Sequence, residues 1–319
     1  MADTLLLRCL KSQPKVLNLS SKKLEKCPKI IGRLQSVIQL DLKNNRLTSL
    51  PHEFGELVHL EILNIGNNEL TELPEILKEC LGLQKLHAFK NQILYLQPTL
   101  LPCLTHLRLL NLNNNQLRRL PPEICRLGQL QYLSIDHNLI QELPFELCAV
   151  TALEELHVAY NQLTSLPLEI GYLRNLQKLH VQKNQIRELP ESLGKCFKLR
   201  VLDVAANDLR IFPTEFSQLP LSEFYCELNP LLQHVPRASY LRQAIRRYPN
   251  ISELLSQSSK CSVCGESFLN TWLECVQFVD AHKALNTANQ TGMVPVRALL
   301  CSYRCFNEPG HEFYGVAFP

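Results

Sequence analysis

The sequence predicts an α/β solenoid, in which parallel strands form a concave sheet and short helical segments cover the convex side. An asparagine returns about every 23 residues along most of the chain, a period typical of such repeat folds. Each asparagine belongs to the same phrase, of the form Leu40-x-Leu42-x-x-Asn45-x-Leu47, and a proline usually follows six residues later. The recurring asparagines are Asn45, Asn68, Asn91, Asn115, Asn138, Asn161, Asn184, Asn207 and Asn229, with Lys22 ahead of them in the same register, and the prolines are Pro51, Pro74, Pro121, Pro144, Pro167, Pro190 and Pro213.

Each element of the repeating unit has its own physical reason. In Leu40-x-Leu42 the apolar residues alternate, which predicts a short strand whose leucines point inward. The asparagine amide can bond backbone groups that the next turn removes from water, so we assign its recurrence to structure. Proline has a fixed φ and no N–H donor, which favours the start of a short helical segment. The unit between Asn91 and Asn115 is one residue longer and carries Gln97-Pro98 in place of Leu-Pro, which predicts a local bulge.

The repeated phrase resembles the leucine-rich repeat family, in particular its short, proline-containing class found in intracellular signalling scaffolds. The resemblance extends to an intracellular branch of that family with a zinc-finger-like tail. It is carried by Leu221-Ser-Glu-Phe-Tyr-Cys-Glu-Leu-Asn-Pro230, Tyr248-Pro249, Cys261-x-x-Cys264-Gly265, Trp272-Leu-Glu-Cys-Val276 and Cys301-Ser-Tyr-x-Cys305-Phe306. It implies a cytoplasmic protein of no established activity.

Four regions follow from these patterns. Residues 1–14 form an N-terminal cap, and residues 15–236 form a leucine-rich repeat solenoid of about ten units. Residues 237–258 are predicted to form a helical cap or linker, and residues 259–319 are predicted to form a zinc-binding tail. We expect the concave sheet to remain available for binding, because each repeat of a solenoid packs only on its neighbours.

Composition and charge restrict the classes of function. A net charge of +3 over 319 residues is too small to predict binding to nucleic acid or to an anionic membrane surface. No apolar run reaches the roughly 18 residues of a membrane span, and Arg8 interrupts the apolar start, which argues against a secretory signal. We therefore expect a cytoplasmic, monomeric protein without membrane insertion.

The cysteines agree with a reducing compartment. The chain has 13 cysteines, an odd number that does not suggest a disulfide framework. Six of them fall one per repeat at positions where the pattern asks for a buried apolar residue, so we expect small core side chains. These six are Cys27, Cys80, Cys103, Cys125, Cys148 and Cys196.

The concave face offers a candidate binding site. Residues four, two and one position before each asparagine are expected to point outward, and in the middle of the array several are aromatic, basic or histidine. Interfaces take much of their energy from a few aromatic and cationic anchors near the centre, which favours a protein partner here. The alternative is that histidine is simply tolerated on an exposed face. The candidate partner-binding residues are His87, Phe89, Lys90, His137, His157, Tyr160, His180 and Lys183.

The tail carries a candidate metal site. Cys261 and Cys264 form one pair, and Cys301 and Cys305 form a second, so together they can offer four thiolates to one zinc ion. Strand-like segments at 272–279 and 294–300 lie between the pairs, as in a treble-clef arrangement. Unpaired core thiols are the alternative, and spare ligands are Cys275, His282 and His311. A closed four-thiolate site leaves no position for water, so we expect structural zinc.

The leading hypothesis is a non-enzymatic adaptor that binds a protein partner on its concave face. No catalytic residue is predicted, because the chain contains no phosphate-binding glycine loop, nucleophile elbow or His-Glu-x-x-His motif, and no small-molecule substrate is expected. The alternative is a substrate receptor of a cullin-type ubiquitin ligase. The start of the chain, Thr4 to Cys9, begins like an elongin-binding box, but Gln13 stands where that box needs an aliphatic residue.

Overall fold

A computed structural model describes Leu6 and residues 9–231, 259–260, 267–268, 273–281, 293–300 and 313–315. Within residues 9–231, ten three-residue strands form one parallel sheet in chain order, which confirms the predicted solenoid. Each strand pairs in register with the strand one repeat later. The strands are Val16–Asn18 (β1), Gln39–Asp41 (β2), Ile62–Asn64 (β3), Lys85–His87 (β4), Leu109–Asn111 (β5), Tyr132–Ser134 (β6), Glu155–His157 (β7), Lys178–His180 (β8), Val201–Asp203 (β9) and Glu223–Tyr225 (β10).

Short 3₁₀ helices cover the convex side of the described solenoid. Most begin directly after the repeated proline; Pro51, for example, precedes the helix His52–Glu56 with φ −73° and ψ 158°. This confirms the expected role of proline, whose fixed φ suits the residue before a helix and whose missing N–H costs nothing there. The helices are Lys29–Arg33, His52–Glu56, Glu75–Glu79, Leu101–Cys103, Pro122–Arg126, Phe145–Ala149, Leu168–Tyr172, Glu191–Lys195 and Phe216–Gln218.

The asparagines, most of them buried, form a ladder of hydrogen bonds between neighbouring repeats, in agreement with the structural role predicted for them. The Asn68 side chain accepts a hydrogen bond from the Leu47 N–H at 2.9 Å and donates to the carbonyls of Leu42 and Ile65 at 3.1 and 3.0 Å. The same pattern returns one repeat later at Asn91. Each amide thus satisfies groups from its own repeat and from the preceding one, which ties the repeats together.

The residue before each asparagine, and before Lys22 in the first unit, adopts a left-handed backbone conformation. These residues have φ between 51° and 59°, so the chain turns sharply there and leaves the sheet. The strands end four residues before the asparagine. The outward positions two and one before it, predicted to lie on the sheet, therefore lie in the turn that follows the strand. The left-handed residues are Ser21, Asn44, Asn67, Lys90, Asn114, His137, Tyr160, Lys183, Ala206 and Leu228.

The longer unit differs in detail from the expectation. Leu96 keeps the leucine position and is only 2% exposed, so Gln97 is inserted between that leucine and Pro98 rather than replacing it. The Gln97 amide donates to the Leu73 carbonyl at 2.8 Å. The helix of this unit shortens to Leu101–Cys103, and the extra residue is accommodated on the convex side.

Most of the repeat cysteines behave as predicted. Cys27, Cys80, Cys148 and Cys196 are free and buried, and burial raises the pKa of each thiol to about 12. Two are different: Cys103 and Cys125, on the helices Leu101–Cys103 and Pro122–Arg126, are only half-buried. The buried thiols therefore act as small apolar side chains without reactivity at neutral pH.

A second, antiparallel sheet follows the solenoid. Leu273–Asp280 (β13) pairs with Met293–Leu300 (β14) and with Phe313–Gly315 (β15), which confirms the two strands predicted in the tail. Before them, Ser259–Lys260 (β11) pairs with Ser267–Phe268 (β12). In the part of the chain that the structure describes, no helix is long and apolar enough to cross a membrane.

This second sheet is bonded to the end of the solenoid. The Phe212 N–H donates to the Pro295 carbonyl at 2.9 Å, and the Arg297 N–H donates to the Phe212 carbonyl at 2.8 Å. The Arg297 guanidinium also contacts Glu191 at 3.1 Å. Val294 and Val296, which share one face of β14, belong to the hydrophobic core of the repeats. Strand β14 therefore packs on the end of the solenoid.

Candidate partner-binding face

The structure distributes the eight predicted residues between strand ends and turns. His87, His157 and His180 are the last residues of β4, β7 and β8, and their side chains are half-buried. Phe89 lies two residues beyond β4 and is also half-buried. The other four are exposed at the left-handed position of their turns: Lys90, His137, Tyr160 and Lys183.

Three of these residues stack along the turns of neighbouring repeats. The rings of His137 and Tyr160 lie 4.0 Å apart at an interplanar angle of 18°. Lys183 lies on the repeat after Tyr160, and its ammonium group is 4.8 Å from the centroid of the Tyr160 ring, a cation–π contact. We call His137, Tyr160 and Lys183 the turn ladder.

A second stack runs beside it on the strands. His157 and His180 lie 4.5 Å apart and nearly parallel, at 8°. Tyr132, the first residue of β6, contacts His157 at 5.0 Å. We call Tyr132, His157 and His180 the strand ladder. The two histidines stack because aligned parallel strands place equivalent residues about 4.8 Å apart, close to the stacking distance of aromatic rings.

Within the strand ladder, His180 is kept neutral by its surroundings. Burial, with help from His157 and Lys178, lowers the pKa of His180 to about 4. Glu155 accepts from Lys178 at 2.9 Å and lies 3.3 Å from His157, so the lysine charge is balanced within the sheet. His180 therefore presents a neutral imidazole on this face.

Asp136 connects the two ladders. Its carboxylate accepts a 2.7 Å hydrogen bond from the Ala159 N–H and interacts with His157 and His137, one from each ladder. Burial nevertheless raises the pKa of Asp136 above its usual value. A half-buried carboxylate held by a backbone donor fixes this turn in one conformation.

Sequence reasoning missed part of this face. Tyr132, Glu155 and Lys178 begin strands β6, β7 and β8, six positions before the repeated asparagine, and they point to the same side as the histidines. A strict period of two would have found them, because the first and third residues of a three-residue strand share one face. These residues at the starts of the strands supply the ionic and aromatic partners of His157.

The remaining predicted residues form a separate patch. His87, Phe89 and Lys90 belong to the repeat of β4, two strands before the ladders, and Asn111 of β5 lies between. The Phe89 ring lies over Gly66, where an added Cβ would come within 2.5 Å of it. Phe89 thus packs on the preceding repeat, instead of pointing freely outward as the sequence suggested.

The predicted metal ligands lie outside the described residues. This applies to Cys261, Cys264, Cys301 and Cys305 and to the spare ligands His282 and His311, while Cys275 lies on β13. Among the described residues, no group of three histidine, cysteine or acidic side chains is placed to hold a metal ion. His157 and His180 are adjacent on the concave face, but they are not part of such a group of three.

Comparison with known proteins shows what the repeats are similar to. The family model described as "Leucine rich repeat" matches residues 15–70 and 151–221, and a related one, "Leucine Rich Repeat", matches residues 106–127. Leucine-rich repeat-containing protein 69 of Xenopus laevis is 42% identical over 33% of this chain and 38% of that protein. The protein of the same name from Homo sapiens is 38% identical over 30% of this chain and 35% of that protein.

The chain therefore carries leucine-rich repeats and is similar, over about a third of its length, to leucine-rich repeat-containing protein 69. The aligned part covers less than two fifths of these relatives. Leucine-rich repeats are typical of protein–protein interaction, because the array leaves a long curved face free.

Solved structures agree on the fold. The ectodomain of the receptor kinase GASSHO1/SCHENGEN3 from Arabidopsis thaliana, in complex with Casparian strip integrity factor 2, superposes with a TM-score of 0.61 at 30% identity. That match covers 69% of this chain and 28% of the receptor chain. YopM from Yersinia enterocolitica gives a TM-score of 0.56 at 30% identity over 72% of this chain and 46% of that one.

Proposed function

We propose that this leucine-rich repeat protein is a non-enzymatic cytoplasmic adaptor in intracellular signalling, which binds a protein partner through the turn and strand ladders of its concave face. The leucine-rich repeats support the general class, and one solved structural neighbour, the receptor ectodomain above, is in complex with Casparian strip integrity factor 2. Neither names a partner for this chain. The ladders supply the specific argument.

The observation that carries the proposal is the conformation of Tyr160. Its φ of 54° lies in the left-handed region, which costs most residues about 1 to 2 kcal/mol but suits asparagine. Three other repeats carry asparagine at this position, namely Asn44, Asn67 and Asn114. The fold alone would be served by asparagine here, so a tyrosine held in this conformation points to a role outside the fold.

The ladders are also preorganised for binding. Tyr160 is 41% exposed, yet its ring is fixed between His137 and Lys183 on the two adjacent repeats. A rigid, exposed aromatic residue loses little conformational entropy when a partner covers it, which is why tyrosine is frequent among interface anchors. The partner we propose is therefore a protein surface that covers repeats six to eight.

Proximity labelling in cells tests this proposal. The experiment compares the intact chain with the double variant Tyr160→Asn/Lys183→Asn and with Lys90→Asn as a matched control. All three substitutions place asparagine at a left-handed position that asparagine already occupies elsewhere in the array. We expect the double variant to lose one set of labelled proteins that the Lys90→Asn control retains. Identical labelling by all three chains would contradict the ladders as the binding site.

The ubiquitin-ligase alternative depends on the segment from Thr4 to Cys9, of which the structure describes only Leu6 and Cys9. No observation on the described residues favours it, so it stays a prediction. Recovery of elongin or a cullin among the labelled proteins would support it.

We also propose that the tail binds structural zinc through Cys261, Cys264, Cys301 and Cys305. Strands β11 and β12 pair on either side of the first two cysteines, and β11 contacts β14. Lys260 ends β11 and Leu300 ends β14, so the first cysteine of each pair directly follows one of two contacting strands. This arrangement supports a shared metal ion.

Metal analysis of the purified chain checks the zinc proposal. We expect about one zinc per chain, because four thiolates form one closed site. The double variant Cys261→Ser/Cys301→Ser should lose it, whereas Cys103→Ser, a half-buried repeat cysteine, should keep it. A chain purified without chelator that carries no zinc would contradict the proposal.

A further inference from the structure

A cavity opens on the edge of the solenoid where the longer unit meets the next one. Its volume is about 360 Å³, and it lies between the loop 95–98 and the loop 119–123. Proline rings and a tyrosine ring supply most of the wall, and an arginine and a glutamate supply the polar groups. The residues on which the argument rests are Tyr95, Pro98, Arg119, Pro121, Pro122 and Glu123.

The inserted residue holds this wall in place. The Tyr95 hydroxyl donates to Glu72 at 2.8 Å, and the inserted Gln97 donates to the same carboxylate at 3.1 Å. The Tyr95 side chain is thus fixed at its far end while the residue remains 48% exposed. The shortened helix Leu101–Cys103 belongs to this same unit, so the cavity arises where the repeat departs from its regular length.

One lining residue of the cavity carries an acceptor atom without a donor. The Oε2 atom of Glu123 is buried and has no hydrogen-bond partner among the described residues. An unsatisfied buried acceptor costs about 1 to 3 kcal/mol, and more when it is charged. Among the residues that line the cavity, Glu123 is the one carboxylate and Arg119 the one cation; the Arg119 side chain is exposed, whereas that of Glu123 is half-buried.

We propose that this cavity receives an arginine side chain from an extended segment of a partner protein. The apolar stem of arginine fits the proline rings, and its planar guanidinium can stack on the fixed ring of Tyr95. The guanidinium carries five N–H donors in one plane, which suits the unpaired oxygen of Glu123. Shape, charge and hydrogen-bonding capacity thus agree on one occupant. The site is independent of the concave ladders.

Peptide binding to the full-length chain tests the assignment. The probe is a fluorescein-labelled, C-terminally amidated pentapeptide, Ala-Pro-Arg-Pro-Ala, followed by fluorescence anisotropy, with peptides that carry norleucine, citrulline or lysine in place of arginine. We expect the arginine peptide to bind with a Kd in the millimolar range or tighter. The norleucine and citrulline peptides should bind about tenfold more weakly, because they lack the charge that Glu123 attracts.

Variants of the chain locate the site. Glu123→Gln should remove the preference for arginine over citrulline, and Tyr95→Ala should weaken the arginine peptide by about tenfold. Glu146→Gln is the matched control, because it changes the equivalent glutamate one repeat later and should leave binding unchanged. Absence of arginine-peptide binding at millimolar concentration would overturn the assignment. So would equal binding by the arginine and norleucine peptides, an unchanged affinity in both cavity variants, or tighter binding of the lysine peptide.

Discussion

The contact between the second sheet and the last repeat predicts the effect of Val296→Ala. Val296 is 3% exposed in β14 and belongs to the core of the solenoid, next to the two hydrogen bonds that join β14 to Phe212. The substitution removes two methyl-sized groups, about 1.6 kcal/mol of transfer free energy, and leaves a cavity that brings the loss to about 2 kcal/mol. Because repeats couple mainly to their neighbours, we expect the loss to fall on the last repeat.

Native-state hydrogen exchange measures this loss. The amide of Phe212 donates directly to Pro295, and about 2 kcal/mol corresponds to roughly 30-fold faster exchange at that amide. Amides of β3 to β6 should be unaffected. Val276→Ala is the matched control: Val276 is 2% exposed in the same hairpin, but lies on the opposite face and outside the shared core. Unchanged exchange at Phe212 in Val296→Ala, or equal acceleration in both variants, would refute the reasoning.

Two further predictions concern the repeats themselves. Asn138→Ala should lower the free energy of unfolding by roughly 3 to 6 kcal/mol, because it leaves the Leu117 N–H and two carbonyls without a partner. The same substitution at the half-buried Asn229, at the end of the array, should cost less. Equal losses in chemical unfolding would contradict this account. His180 has a pKa of about 4 in the folded chain against an ordinary 6.5, so the unfolded chain binds the extra proton between these values. The intact chain should therefore lose Tm relative to His180→Gln as pH falls from 6.5 to 4, and parallel Tm curves for the two chains would exclude this effect.

The repeated pattern was predictable because it is local. Leucine alternation, the asparagine phrase and the proline step each act within one repeat or between adjacent repeats, so the strands, the helices and the buried amides all follow from the sequence. The position of Gln97 was assigned wrongly, because a one-residue insertion can be aligned on either side of Leu96. The extent of the strands was also overestimated, since φ above zero at Tyr160 ends the extended backbone earlier than the alternation suggests.

The candidate site was predicted only in part. The sequence identified the aromatic and histidine residues of the middle repeats, but it treated His87, Phe89 and Lys90 as one surface with them. The structure separates that patch by a full strand and packs Phe89 over Gly66. It also adds Tyr132, whose position at the start of β6 places it against His157.

By itself, the sequence determined the solenoid, its period and the inward side of each strand, because these depend on contacts between residues about one repeat apart. Only the tertiary structure decided which rings stack, since a centroid distance of 4.0 Å depends on the turn conformation and on side-chain rotamers. It also decided that β14 joins Phe212, a pairing of residues 212 and 296 that no local pattern encodes. Contacts between distant segments depend on complementary surfaces that exist only after the repeats have formed.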